Sequence, residues 1–115
     1  MVDSKQFYIN GQWVSPLAAR HLAVENPATG QVIAQISLGD KADVDRAVNA
    51  ARVAFPAYSR TTPTERIALL QRIVQEYQKR SPDLAQAVTA EMGAPAWLAR
   101  DAQVPLGLAH FTQAI

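Results

Sequence analysis

Few side chains of this sequence could do chemistry, and most of them lack a partner at a useful spacing. His21 and His110 stand far apart, and neither has a second ligand three or four residues away, so a zinc site is not favoured. The chain has no cysteine, which excludes a disulfide, a thiolate metal site and a thiol nucleophile within it. No serine has a local base. The sequence therefore indicates no catalytic residue of its own.

One acidic residue stands out because it lies on an apolar stripe. Leu84, Ala87, Val88 and Glu91 recur at helical spacing, which predicts that Glu91 lies on the apolar face near the C-terminal end of its helix. A buried carboxylate needs a hydrogen bond, a basic partner or a cation. The sequence does not choose among these, and a partly exposed Glu91 with an ordinary partner is the alternative.

Composition excludes several classes of protein. The 115 residues are 49% hydrophobic and 18% charged, which is typical of one folded domain. A net charge of +1 without a Lys/Arg cluster argues against a nucleic-acid partner. No apolar run is long enough to span a membrane, and we expect a cytoplasmic protein. The spacing of the glycines forms no phosphate-binding loop, so no cofactor-binding residue is predicted.

The first 38 residues predict two β-hairpins. Asn10-Gly11 suits a type I′ turn between the strands 7–9 and 12–14, and would pair Tyr8 with Trp13. A second turn at 26–30 would join strands near 22–25 and 31–37.

From Gly39 onward the apolar period becomes helical. Asp40 is a predicted N-cap, Asp43 is expected to face water, and Pro56 is expected to stop this first helix. Its apolar stripe consists of Val44, Ala47, Val48, Ala51, Ala54 and Phe55.

A second helix is predicted from the capping box that Thr62, Pro63 and Glu65 form. Its buried face should contain Ile67, Leu70, Ile73, Val74 and Tyr77.

Prolines predict where the later helices are interrupted. Ser81-Pro82 repeats the capping signal, which predicts a new or kinked helix over 83–92, closed by Gly93. Pro105 predicts a kink near residues 101–105 of the last helix. That helix runs to Ile115 without a stop signal, so we expect the native chain to continue. The apolar stripe of the last helix is formed by Trp97, Val104, Leu108, Phe111 and Ile115, and the acidic Asp101 occupies one position of the same stripe.

The order of these segments resembles the N-terminal region of the aldehyde dehydrogenase superfamily. A departure is Tyr58, which stands where family members commonly carry a tryptophan after the first helix. The matching segments are 8–14, 26–33, 39–48, 50–55, Glu65-Arg66 with Leu69-Leu70, and 91–95.

The resemblance implies an α/β fold in the full-length context, of which this chain is the opening quarter. Residues 1–38 would be the N-terminal β-hairpins, and residues 39–115 the helical part of the coenzyme-binding domain, about four helices in all. The family oxidises a small-molecule aldehyde to a carboxylic acid with NAD or NADP through a cysteine thiohemiacetal and thioester. The catalytic and coenzyme residues would lie beyond Ile115, and a homodimer or homotetramer is expected.

Two peripheral roles also follow from the resemblance. A monovalent cation would be held by the backbone carbonyls of Val24 and Glu25 and by the carboxylate of Glu91. Val104 and Leu108 would line the substrate tunnel. Ordinary packing is the alternative for all five residues.

Two other functions remain open at this point. The chain could be a non-catalytic helical binding or oligomerisation module derived from that family, or an inert truncated product. The coding sequence beyond Ile115 would distinguish these hypotheses from the enzyme.

Overall fold

The computed structural model describes residues 5–115, which form β-hairpins followed by helices, as the predicted α/β class requires. The elements are β1 (Phe7–Ile9), β2 (Gln12–Val14), β3 (Arg20–Asn26), β4 (Gln31–Leu38), α1 (Lys41–Tyr58), α2 (Pro63–Met92), α3 (Ala96–Leu98), a π-helical turn (Ala99–Gln103) and α4 (Val104–Gln113).

Contacts divide the chain into two compact units. The hairpin unit contains the described residues up to Val24 together with Val32–Arg60. The helical unit contains Glu25–Gln31 and Thr61–Ile115. The boundary at residue 38 that the sequence suggests concerns domains of the intact protein, and it stays a prediction.

The first hairpin of the hairpin unit confirms the predicted turn. Asn10 and Gly11 both have positive φ, 53° and 75°, as a type I′ turn requires. The register pairs Tyr8 with Trp13, and their rings lie 5.1 Å apart between centroids. This aromatic pair covers one face of a very short ladder and stabilises it.

Helix α1 begins with a reciprocal cap between Asp40 and Asp43, and Asp43 makes a further bond that the sequence did not predict. Asp40 is the N-cap, and its Oδ1 accepts from the N–H of Asp43 at 3.1 Å. In return, Oδ2 of Asp43 accepts from the N–H of Asp40, while Oδ1 accepts from the N–H of Leu17 at 3.0 Å. The expectation that Asp43 faces water is therefore wrong, because the residue is only 4% exposed. It joins the segment between the hairpins to the start of α1.

The far end of α1 also differs from the prediction. Pro56 does not stop the helix, which continues to Tyr58, and the Ser59 hydroxyl donates to the Pro56 carbonyl at 3.1 Å. A proline near the end of a helix loses only one hydrogen bond there. The predicted apolar stripe is largely exposed, with Phe55 at 66%.

Helix α2 starts at the predicted capping box. The hydroxyl of Thr62 accepts from the N–H of Glu65 at 3.2 Å, and the carboxylate of Glu65 accepts from the N–H of Thr62 at 2.7 Å. These bonds to Thr62 hold the pKa of Glu65 below its ordinary value. Pro63 occupies the first helical position, where its missing N–H costs nothing.

Of the two outcomes predicted at Ser81-Pro82, a new helix is wrong, because α2 is one helix from Pro63 to Met92 with Pro82 inside it. A kink at this place stays a prediction. Ser81 is not an N-cap; its hydroxyl donates to the carbonyl of Tyr77 at 2.9 Å, within the same helix. The predicted end at Gly93 is confirmed, and Gly93 has the left-handed φ of 69° that is usual there.

The last helical segment packs against α2 within the helical unit. The predicted disturbance ahead of Pro105 lies where expected and takes the form of the π-helical turn Ala99–Gln103. Ala99 and Val104 are buried, and the ring of Tyr77 on α2 lies 6.1 Å from that of Phe111 on α4. The predicted inner face of α2 is half-buried at Ile67, Leu70, Ile73, Val74 and Tyr77.

Replacing Asp43 should destabilise the protein in two graded steps. Asp43→Ala removes both acceptors and leaves the N–H groups of Asp40 and Leu17 unpaired, at a cost of about 2 kcal/mol in unfolding free energy. Asp43→Asn retains one acceptor oxygen and should cost about half as much.

Urea denaturation of the purified protein measures both losses. The control is Asp45→Asn in the same helix, whose carboxylate is exposed and pairs with Lys41. Equal effects of Asp43→Ala and Asp45→Asn would contradict the role of Asp43.

Candidate functional site

The three residues of the predicted cation site are exposed or half-buried. Val24 is half-buried in β3, whereas Glu25 and Glu91 are both exposed. Of the two possibilities that the sequence leaves for Glu91, the structure agrees with the exposed one and not with a buried carboxylate. Its carboxylate is open to solvent, near the end of α2.

Within the helical unit, the turn after Glu25 packs against the chain that follows Glu91. A side chain at Gly93 would place its Cβ 3.0 Å from Cγ of Pro27 and 3.1 Å from the backbone nitrogen of Ala28. At such distances the turn would have to shift to admit a methyl group. Gly93 thus combines a left-handed backbone with a close approach to this turn.

The turn itself is held by local hydrogen bonds. The side-chain oxygen of Asn26 accepts from the N–H of Ala28 at 2.9 Å, and its backbone carbonyl accepts from the N–H of Gly30 at 2.8 Å. This Asx turn fixes the backbone directly after Glu25. A carbonyl ligand in such a position would be held by the fold and not by side-chain rotamers.

Clustered metal ligands are absent from the part of the chain that the structure describes. Between residues 5 and 115, no three His, Asp or Glu side chains converge as a metal centre would require. His21 lies in β3 and His110 in α4, and both are exposed. A cation held mainly by backbone carbonyls and one carboxylate would leave no such cluster.

A groove of about 610 Å³ lies along one side of the helical unit. The guanidinium of Arg100 at its edge is bound in a fork by the Asp101 carboxylate, with N–O distances of 2.6 and 2.7 Å. This hydrogen bonding raises the pKa of Arg100 and lowers the pKa of Asp101. The other residues that line the groove are Asn26, Ser81, Pro82, Ala85, Gln86, Thr89, Ala90 and Ala96.

The two predicted tunnel residues differ in their surroundings. Val104 is 5% exposed and lies in the core of the helical unit, whereas Leu108 on the next turn of α4 is half-buried. The carbonyl of Val104 accepts a hydrogen bond from the hydroxyl of Tyr77 at 2.8 Å. Sequence reasoning placed Tyr77 only in the buried face of α2 and missed this bond. A glycine at 107, inside a helical stripe, was the available signal of a close neighbour.

Comparison with known proteins identifies the family. The sequence model described as the aldehyde dehydrogenase family matches residues 13–115. The chain therefore belongs to the aldehyde dehydrogenase family. A curated relative, 3-succinoylsemialdehyde-pyridine dehydrogenase of a Pseudomonas species, is 46% identical over 115 residues. This match covers 99% of the chain but only 24% of the relative, so the chain spans about a quarter of that protein's length.

Solved structures show the same fold for this segment. An aldehyde dehydrogenase from Bartonella henselae superposes with a TM-score of 0.94 at 41% identity, over 97% of this chain and 24% of that one. A mutant of aldehyde dehydrogenase C from Pseudomonas syringae, in complex with NAD+ and octanal, gives 0.93 at 45% identity, over 96% and 23%. As for membranes, none of the helices described between residues 5 and 115 is both long and apolar enough to cross one.

Two glycines with the same backbone conformation allow the contact at Gly93 to be measured. Gly30 and Gly93 have φ of 68° and 69°, but a methyl group would meet neighbouring atoms only at Gly93, since the same position at Gly30 has none within 4 Å. Gly30→Ala should therefore cost only the left-handed strain of about 1 to 2 kcal/mol.

Gly93→Ala should cost this strain and, in addition, displace the turn of Pro27 and Ala28. Its loss of unfolding free energy should exceed that of Gly30→Ala by about 1 kcal/mol or more. Thermal unfolding of the two variants measures the difference. Equal losses would show that the turn moves away from Gly93 at no cost.

Proposed function

We propose that this chain forms part of an NAD-dependent aldehyde dehydrogenase that oxidises an aldehyde to a carboxylic acid. The observation that carries the proposal is the family match over residues 13–115, supported by the structural similarity to an enzyme crystallised with NAD+ and octanal. When bound, the coenzyme would accept the hydride that leaves the substrate. NADP is the other coenzyme that the proposal allows.

The chemistry itself would be done outside this chain. Covalent catalysis of the kind proposed needs a thiol, and the sequence contains no cysteine. It also contains no glycine-rich phosphate loop, so these residues do not fit a coenzyme site. The proposed role of the segment is therefore to support the site and not to react.

Two supporting roles belong to the proposal. The carbonyls of Val24 and Glu25 and the carboxylate of Glu91 would hold a monovalent cation. The packing of Gly93 against Pro27 favours a short distance between Glu25 and Glu91. The exposed carboxylate of Glu91 fits this role, since a hard cation prefers oxygen ligands.

The wall of the substrate tunnel would include α4. Leu108 keeps accessible surface and would contact the aldehyde, while the buried Val104 would support the wall from beneath. We further propose that the whole enzyme is a cytoplasmic homodimer or homotetramer, in line with the resemblance.

A segment exchange tests the proposed function without knowledge of the catalytic part. The matching segment of the Pseudomonas relative, which is 46% identical, is replaced by this chain. The chimera should produce NADH from its aldehyde substrate within about tenfold of the parent's kcat/KM, since a supporting role tolerates surface differences.

The control is the 115-residue chain alone, which should produce no NADH above a blank. A folded chimera that binds NAD+ and does not turn over would contradict the proposal and favour the binding-module alternative.

Replacing Glu91 tests the cation. In the full-length enzyme, Glu91→Gln should reduce the rise in Tm that potassium or sodium chloride produces over choline chloride at equal ionic strength, because a weaker site stabilises less. The control is Glu76→Gln on the same helix, whose exposed carboxylate pairs with Lys79. If Glu91→Gln responds to the salts as the unchanged enzyme does, the cation site lies elsewhere.

A further inference from the structure

The π-helical turn ahead of α4 is a conformation that the chain adopts at one defined place. The N–H of Val104 donates to the carbonyl of Ala99, five residues back, and not to the residue four back. Pro105 has no N–H, so the carbonyl of Asp101 lacks its usual donor. Single π-helical turns inside α-helices occur frequently at functional sites.

Tyr77 reaches this turn from the neighbouring helix. Its hydroxyl donates to the backbone carbonyl of Val104 at 2.8 Å, one residue before Pro105. A carbonyl has two lone pairs and can accept this bond besides a helical one. Because the bond is made to the backbone, it holds the position of α4 whichever side chain stands at residue 104.

The absence of a side chain at Gly107 leaves room for Tyr77. A Cβ at Gly107 would collide with the Tyr77 hydroxyl oxygen and lie 3.1 Å from Cζ of the ring. Glycine inside a helix costs about 1 kcal/mol relative to alanine, so its presence within α4 needs a reason. The approach of Tyr77 supplies that reason.

The backbone of Tyr77 is itself held on α2. Its carbonyl accepts from the hydroxyl of Ser81 at 2.9 Å, next to Pro82, and its ring lies 6.1 Å from Phe111. The hydroxyl, the ring and the carbonyl of one residue thus each have a partner. Tyr77 therefore links the part of α2 beside Pro82 to the first residue of α4.

A change of the π-helical turn would move the residues that follow it. Each residue of an α-helix turns by about 100°, so rewinding the turn by one residue would rotate Val104 and Leu108 to another face of the helix. Whatever fixes the turn also fixes the side of α4 that carries these two residues.

We propose that Tyr77 is a positioning residue for the aldehyde tunnel: its hydroxyl, admitted by Gly107, fixes the π-helical turn and thereby the place of Leu108 in the tunnel wall. This inference rests on the proposed function of the chain. Tyr77 acts through the backbone of α4 and does not contact the substrate. Loss of its hydroxyl is therefore expected to affect an aldehyde long enough to contact Leu108 and to leave the chemical step unchanged.

The test compares Tyr77→Phe with the unchanged full-length enzyme on propanal and on octanal. The KM for octanal should rise, by at most the about fivefold to tenfold that one lost hydrogen bond corresponds to, because Leu108 is then held less firmly. The kcat for propanal should stay the same. Amide hydrogen exchange over residues 99–108 should become faster by a similar factor.

The matched control is Tyr8→Phe, since the Tyr8 ring contacts Trp13 and its hydroxyl has no hydrogen bond within residues 5–115. This variant should leave both KM values and the exchange of 99–108 unchanged. Equal changes of KM for both aldehydes in Tyr77→Phe, or unchanged exchange, would overturn the positioning role.

A double-variant cycle tests the pairing with Gly107. Gly107→Ala should accelerate exchange of 99–108 in the Tyr77 enzyme and have a smaller effect in the Tyr77→Phe background, because the atom nearest the new methyl group is then absent. The same effect in both backgrounds would overturn the pairing. If the enzyme without any substitution forms no NADH from aldehyde, the proposed function is refuted instead. The hydrogen-exchange data would still test the contact between Tyr77 and Gly107.

Discussion

A buried backbone N–H or C=O needs a hydrogen-bond partner. Each long helix of this chain contains a proline, which has no N–H to donate, so this constraint applies in each of them. Pro63 costs nothing because it stands at the first helical position. Pro56 lies in the last turn of α1. Pro82 and Pro105 interrupt the ladders of α2 and of the last helix, and a side-chain hydroxyl makes an added bond beside each: Ser81 at the first, Tyr77 at the second. Tyr77 takes part in both bonds, and its hydroxyl and ring also contact α4.

Local signals made much of the fold predictable. The turn at Asn10-Gly11 and the capping box at Thr62–Glu65 depend on residues within four positions of one another, so their geometry is encoded where it occurs. The family resemblance rests on such segments in their order, and the comparisons confirm it.

Features that depend on distant contacts were not predictable in the same way. Asp43 was expected to face water, but its second oxygen is bound by the N–H of Leu17, 26 residues earlier. Ser81-Pro82 has the sequence pattern of a helix start, yet α2 continues through it, because tertiary context can override a local preference. The proposed cation site is harder still to predict, because a backbone carbonyl ligand, as proposed for Glu25, leaves no signature in the side chains. The Tyr77–Val104 bond likewise appears only once the two helices are placed together.

The aromatic residues described above give each unit its own optical reporter. The chain has two tryptophans: Trp13 stands in the hairpin unit and Trp97 in the helical unit. Trp13 is 59% exposed and lies beside the Tyr8 ring, a neighbour that it loses when the hairpin opens, whereas Trp97 is 61% exposed at the start of the last helical segment. Fluorescence of single-tryptophan variants therefore follows each unit separately during denaturation. Coincidence of the two transitions is the criterion for cooperative unfolding, so this placement makes the cooperativity of the segment directly observable.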